Sequence, residues 1–188
     1  MLIETMVLAV LIGYLKGGKL TNLTELSLKG IWLVLAAFAM QVLIYWAGVK
    51  EFGLGPSWFA PSLHIVSYCL LLIFILINRT FPGIKILALG IFLNLLVISF
   101  NGGLMPVDPA YLTEEARRAL ITGRGTHGLL SETTRLMMLA DRFFIAIPWL
   151  GKQLFSLGDV LIDIGAFILI FKTMNSPRSY RIRTVSLR

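Results

Sequence analysis

The sequence predicts an all-α fold of the polytopic membrane kind, with about five transmembrane helices and a surface-lying or re-entrant helical segment between the last two. Three observations predict it. Hydrophobic residues fill 57% of the 188 positions and charged residues 14%, where a soluble domain carries about a quarter charged. The mean hydropathy is +0.83. The apolar residues come in long blocks with the charges gathered between them, whereas a membrane barrel would show short alternating segments.

The blocks follow in order. Met1 to Leu15 is the short one, broken by Gly13 and then by Lys16-Gly17-Gly18-Lys19. The second runs from about Gly30 to Ala47, and the third from Phe59 to Ile77, entered through Pro56 and Pro61. The fourth runs from Ile84 to about Phe100, and the fifth from about Leu157 to Phe171 with Lys172 at its end. A helix needs about 20 residues to cross the hydrocarbon core, so each block spans or nearly spans it. Glu4 stands where a cleavable leader needs positive charge, and no small-x-small site precedes the charged turn. The first block is therefore expected to stay in the membrane.

Orientation follows from the connections. Lys16, Lys19 and Lys29 flank the first, Lys50 and Glu51 cancel in the second, and Arg79 and Lys85 lie in the third. Lys172, Arg178, Arg181, Arg183 and Arg188 mark the tail. Basic residues beside spans stay cytoplasmic, so the N-terminus is expected outside and the C-terminus inside. The expected organisation is one membrane domain over 1–174, an external segment over 101–155 within it, and a basic cytoplasmic tail over 175–188. The net charge of +7 belongs to this pattern, so no nucleic-acid partner is expected.

The external segment is too long to lack structure of its own. Asp108-Pro109-Ala110 is expected to open a helix reaching about Ile121, with Asp108 as cap and Pro109 in the first position. Gly123, Gly125 and Gly128 then break the chain. A second helix is expected from Glu132 to Phe144, capped by Ser131. Its Leu136, Met137, Leu139, Ala140, Phe143 and Phe144 suit a segment lying on or dipping into the membrane, with Pro148-Trp149 anchoring the return.

Several polar residues stand out against this apolar background. Asp159 and Asp163 lie four apart on one face of the last helix. Ser156-Leu157-Gly158-Asp159 fits a capping box, while Asp163 lies too deep for that role and is a functional or structural candidate. Asn94, Asn101, Gly102 and Gly103 line the far end of the fourth helix. Asp141 and Arg142 interrupt the most apolar part of the external segment, with a local ion pair as the plain account. Cys69 is the single cysteine. With His64 and His127 it makes no metal-ligand spacing, so neither metal nor cofactor is expected. Gly123-Arg124-Gly125 lacks the Lys-Ser/Thr and the preceding strand of a phosphate loop.

Across nearly its whole length the chain resembles a family of bacterial membrane proteins known only as a domain of unknown function. The residues that carry the resemblance are Asn101-Gly102-Gly103-Leu104-Met105-Pro106, His127, Thr133 or Thr134, Leu139-Ala140-Asp141, Pro148, and Phe155 to Ile162. It implies the bacterial cytoplasmic membrane and no particular activity. The C-terminal part also resembles the lipoprotein signal peptidases, intramembrane aspartic enzymes. Asp141-Arg142 matches their first catalytic motif, and Phe155 with Asp159 matches their second. Asn101-x-Gly103 resembles a further motif of theirs. Met138, Ser156, Gly158 and Val160 depart from that pattern.

Three function classes follow. The leading one is a module that binds a lipid, a peptide or another membrane protein through the external segment. The second, implied by the peptidase resemblance, is an aspartic hydrolase in which Asp141 and Asp159 share a proton and activate water, with Asn101 stabilising the oxyanion. The third is a small transporter using Asp163 and Asn94. Asn101, Gly102, Gly103, Asn94, His127, Arg142, Ser156 and Asp163 are binding or supporting candidates.

Overall fold

The computed structural model describes residues 1–49, 57–121, 125–147 and 151–176. The protein is mostly helical: α1 (Leu2–Leu15), α2 (Ile31–Val49), α3 (Phe59–Ile77), α4 (Ile84–Phe100), α5 (Glu114–Ile121) and α6 (Leu157–Asn175). Lys50, Glu51, Pro56, Gly123, Arg124, Pro148, Trp149 and the tail arginines lie outside the described residues.

Among the described residues two helices are long and apolar enough to cross a membrane, Ile31–Gly48 and Phe59–Ile77. Leu2–Leu15 and Ile84–Phe100 are shorter apolar helices. α6 has 19 residues but carries Asp159, Asp163 and Lys172. Helix length and apolarity therefore give two spans by themselves rather than five. The outer faces of these helices are apolar too. Trp32, Leu35 and Phe38 on α2, Val7 and Leu11 on α1, and Leu89 and Phe92 on α4 are all exposed. A helix apolar all round belongs in a large core or in lipid.

The all-α expectation needs correction. Among the described residues four short strands form two two-stranded sheets: β1 (Met105–Val107) parallel to β2 (His127–Leu129), and β3 (Phe143–Ile147) antiparallel to β4 (Gly151–Phe155). The helix expected over Glu132 to Phe144 is absent. Leu136 takes a left-handed backbone (φ 56°), a 3-10 turn covers Met137–Leu139, and the chain then extends. Aromatic and β-branched residues in Phe143–Ile147 favour the strand once a partner strand is available. Asp108 does cap, accepting Ala110 N–H at 2.9 Å, but over a 3-10 turn at Pro109–Tyr111. The helix proper starts after Thr113, whose hydroxyl accepts Ala116 N–H at 3.2 Å.

The helices are held by close backbone approach and a few polar ties. α4 and α6 run antiparallel through two glycine pairs seven residues apart. A Cβ on Gly90 would meet Gly158 O at 2.5 Å, and one on Gly83 would collide with Gly165 O. Small residues at such crossings let the backbones pack without cavities. α1 runs parallel to α6, with Thr5 Oγ1 donating to Asp163 Oδ2 at 3.0 Å near one end and Gly13 against Met174 near the other. α2 and α3 are antiparallel. Gln41 Nε2 donates to Ser67 Oγ at 3.0 Å, and Asn78 holds the Lys29 backbone by its N–H (3.0 Å) and C=O (2.9 Å). By these directions the starts of α1, α3 and α6 share one end of the bundle with the C-terminus of α4, and the two small sheets sit there.

Candidate functional site

The β3–β4 hairpin closes the sequence gap between the two aspartates singled out above. Its register pairs Phe143 with Phe155 at the open end, and their rings stack at 5.8 Å. Asp141 precedes Phe143 by two residues, and Ser156 follows Phe155 directly. The other side of Asp141 is pinned to β1: its N–H donates to Pro106 O at 2.9 Å, and its C=O accepts Asp108 N–H at 2.9 Å. The same β1 pairs Met105 with His127. A three-residue strand thus sets Asp141 and His127 side by side.

Ser156 caps α6 as its sequence foretells. Its hydroxyl accepts Asp159 N–H at 3.0 Å, and Asp159 Oδ2 accepts Ser156 N–H at 2.9 Å, the reciprocal capping box. The Ser156 hydroxyl proton lies between Asp159 Oδ2 (2.9 Å) and Asn94 Oδ1 (3.0 Å). Asn94 Nδ2 donates to Asp159 Oδ1 at 2.9 Å. The Asp159 carboxylate therefore has donors from Asn94 and from the Ser156 backbone, with the one Ser156 hydroxyl proton shared between it and Asn94 Oδ1.

Asp141 is treated in the opposite way. It is 7% exposed, and among the described residues no N–H or O–H reaches its buried Oδ1. Asp159 lies near enough for its charge to act on this carboxyl. Burial first, then the negative charge of Asp159 and the bond between the two carboxyls, push its pKa from 3.8 up to about 7. Two adjoining acids in unequal surroundings hold one proton between them. Burial therefore favours the protonated form of Asp141.

His127 Nε2 lies 3.6 Å from Asp141 Oδ2, and its Nδ1 is 3.0 Å from Thr126 Oγ1. Surrounding protein and the nearby His64 push the imidazole towards its neutral form, although 47% of the side chain remains exposed. Arg142 does not turn back to its neighbour: alternate residues of an extended chain point to opposite sides, and its Nη1 meets Met138 Sδ at 3.5 Å.

The other candidates are placed as follows. Asn101 is committed at both ends of its amide. Nδ2 donates to Val97 O (2.8 Å) and Arg135 O (2.9 Å), and Oδ1 accepts Arg135 N–H at 2.9 Å. That makes it a clamp between α4 and the external segment. Gly102 and Gly103 end α4 with positive φ (67° and 86°), and Gly103 O accepts His64 Nδ1–H at 2.7 Å. Asp163 is buried one turn deeper in α6, against Thr5. Beside the clamp is a groove of about 470 Å³ whose lining includes Asn101, Gly128, Ser131, Thr133, Thr134 and Arg135. Among the described residues no three His, Cys, Asp or Glu side chains gather to hold a metal.

Two site residues escape the sequence reading. Tyr68, on α3, lies close enough to Asp159 and Asp141 to feel their charge. His64, one turn earlier, packs its ring edge-on against Tyr68 at 5.4 Å. Their spacing of four on an apolar helix was the available signal.

A family model described as a family of unknown function, DUF5317, matches residues 25–171. A protein of Thermotoga maritima described as uncharacterized is 31% identical over 168 residues, which is 89% of this chain and 89% of that relative. No solved structure matches.

Proposed function

We propose that this chain, which belongs to the DUF5317 family of unknown function, is a multi-pass membrane protein whose outward-face pair, Asp141 and Asp159, hydrolyses a bond in a substrate presented at the membrane surface. The nearness of the two carboxyls, Asp141 buried and Asp159 braced by Asn94 and Ser156, carries the reading. Asp159 as carboxylate takes a proton from water, and Asp141 as acid gives its proton to the carbonyl oxygen under attack. Asn101 has no role in that step, because its amide is spent on Arg135 and Val97.

Five membrane segments, an external 101–155 and an inward tail over 175–188 complete the proposal. Support comes from the apolar outer faces of the helices and from their directions. These put Lys16, Lys19, Lys29, Arg79 and Lys172 at helix ends away from Asp141, the distribution that favours the cytoplasmic side.

The test is cleavage, in lipid nanodiscs, of quenched-fluorescent peptides bearing an acylated or apolar anchor. Cleavage by the parent protein, lost in both Asp141→Asn and Asp159→Asn while their folded helical signal persists, is the expected result. Cleavage that survives in either variant sinks the hydrolase.

A second reading, a module binding a lipid, peptide or membrane protein, is favoured by the groove beside Asn101. It expects retention of such a ligand to depend on Arg135 and Thr134, with no turnover at all.

A further inference from the structure

We propose that the groove beside the Asn101 clamp holds the phosphate of an anionic phospholipid headgroup, with Arg135 as its charge partner. This rests on the reading of the groove as a binding site and of 101–155 as external, and it does not depend on turnover at the aspartates.

Arg135 and the hydroxyls beside it hold unspent donors. A guanidinium has five N–H groups and no acceptor, and among the described residues no carboxylate forms an ion pair with Arg135. Thr134 Oγ1 accepts the Ser131 N–H at 2.9 Å, which leaves its own hydroxyl proton to give. The Ser131 and Thr133 hydroxyls lie 2.9 Å apart. One of them donates to the other, and the second proton of the pair is left over. All four of these residues line the groove, and among the described residues no Asp or Glu does. Donors gathered around one cation suit an oxyanion, and Arg takes phosphate oxygens in a bidentate fork. With no acid in the lining, nothing pairs with the ammonium of a zwitterionic headgroup. The class that fits is therefore a headgroup of net negative charge.

The backbone around Arg135 is held for that task. Asn101, at the end of α4, accepts its N–H at 2.9 Å and donates to its C=O at 2.9 Å. Leu136 then turns the chain with φ 56°, a left-handed conformation that is costly for a residue with a Cβ. Strain of this kind gathers at ligand clamps. Across the groove Gly102 has nothing within 4 Å of where a Cβ would stand, so its backbone leaves the space open.

The walls suit a lipid better than a free ion. Phe100 and Leu104 also line the groove, and Phe100, the last residue of α4, is 52% exposed. In the orientation proposed above, this end of α4 lies at the outer membrane surface, at the level of the headgroups. The volume of about 470 Å³ falls within the roughly 300–1,000 Å³ of small-ligand sites and has room for a headgroup beyond its phosphate.

The measurement is native mass spectrometry of the full chain released from nanodiscs of phosphatidylglycerol and phosphatidylcholine in equal parts, reading which lipid stays bound. The parent is expected to retain phosphatidylglycerol in preference, and Arg135→Gln to cut that preference about tenfold. The Asn101 clamp survives this change, because it bonds only the backbone of Arg135. Thr133→Trp, which adds bulk to the lining, is expected to remove retention of either lipid. Retention unchanged by Thr133→Trp overturns the groove as a binding site, and the headgroup with it. Retention lost in Thr133→Trp but with the same preference in Arg135→Gln as in the parent leaves the groove standing and overturns the anionic headgroup. Inorganic phosphate, titrated by calorimetry into nanodiscs of phosphatidylcholine alone, separates the sources. Arg135-dependent heat from phosphate, with no preference for phosphatidylglycerol, assigns the site to the free ion and overturns the lipid.

Discussion

Asn94 on α4 braces Asp159 on α6, giving Nδ2–H to its Oδ1 at 2.9 Å while taking the Ser156 hydroxyl at 3.0 Å. The same bonds tie two helices together, so Asp159 is structural whatever else it does. Among the described residues Asp141 Oδ1 has no comparable brace. Asp159→Ala leaves donors of Asn94 and Ser156 unpaired and is expected to cost about 1–3 kcal/mol. Asp141→Asn, a neutral isostere of the protonated acid, is expected to melt within a few degrees of the parent at pH 5. Thermal unfolding of both variants in the same detergent decides it, and equal losses would deny the asymmetry.

The pH dependence of stability follows from Asp141. Its folded pKa of about 7 exceeds the ordinary 3.8, so the native state holds a proton that the unfolded chain has released. Stability is therefore greatest at the acid end of that window and falls as pH rises from about 4 to about 7, then levels off. The full gap is worth roughly 4 kcal/mol. Asp141→Asn is expected to flatten this slope. A parent protein whose stability rises across the window would contradict the assignment of the proton.

Glycine 158 has no room for a methyl group. A Cβ there would collide with Asn94 Oδ1 and lie 2.9 Å from Gly90 O. Gly158→Ala is expected to cost about 1–3 kcal/mol by overpacking and to loosen the Asn94–Asp159 bond. Gly102→Ala meets nothing within 4 Å but sits at φ 67°, so its cost is backbone strain of about 1 kcal/mol. Melting temperatures that ranked Gly102→Ala as the worse change would refute the close α4–α6 crossing.

Asn101 clamps the backbone of Arg135 through both its N–H and its C=O. Asn101→Ala is expected to speed amide exchange at Arg135 at least tenfold, corresponding to about 1.4 kcal/mol of lost local stability. The α3 and α4 amides should keep their protection. Unchanged exchange at Arg135 would show that the loop is held by something else.

Much of the helical framework could be read directly. α3 and α4 begin and end at the expected residues because long apolar runs stop at polar or glycine positions, and the Ser156 cap was visible because its chemistry is local. β3 was not. Leu136, Met137, Leu139, Ala140, Phe143 and Phe144 repeat at helical spacing, and only pairing with Gly151–Phe155 decides for a strand. Pairing is a long-range fact that no short window contains. Within the site, the resemblance pointed to Asp141 and Asp159, and the fold brings them together. Tyr68 passed unnoticed, and His64 was weighed only as a metal ligand, because histidine and tyrosine on an apolar helix look like ordinary packing. Arg142 and Asn101 looked more chemical than their contacts with Met138 and Arg135 allow.

The antiparallel hairpin has one more consequence, and it concerns counting. Asp141 and Asp159 lie beyond its open end, so their separation in space is fixed where Phe143 meets Phe155 and is blind to how far the arms extend. Residues added opposite one another at the far end would lengthen the sequence interval of eighteen and leave the carboxyls where they are. A single residue added to one arm would not be so forgiving: each strand position alternates faces, and an odd shift inverts every side chain that follows. The quantity this architecture protects is therefore parity rather than distance along the chain.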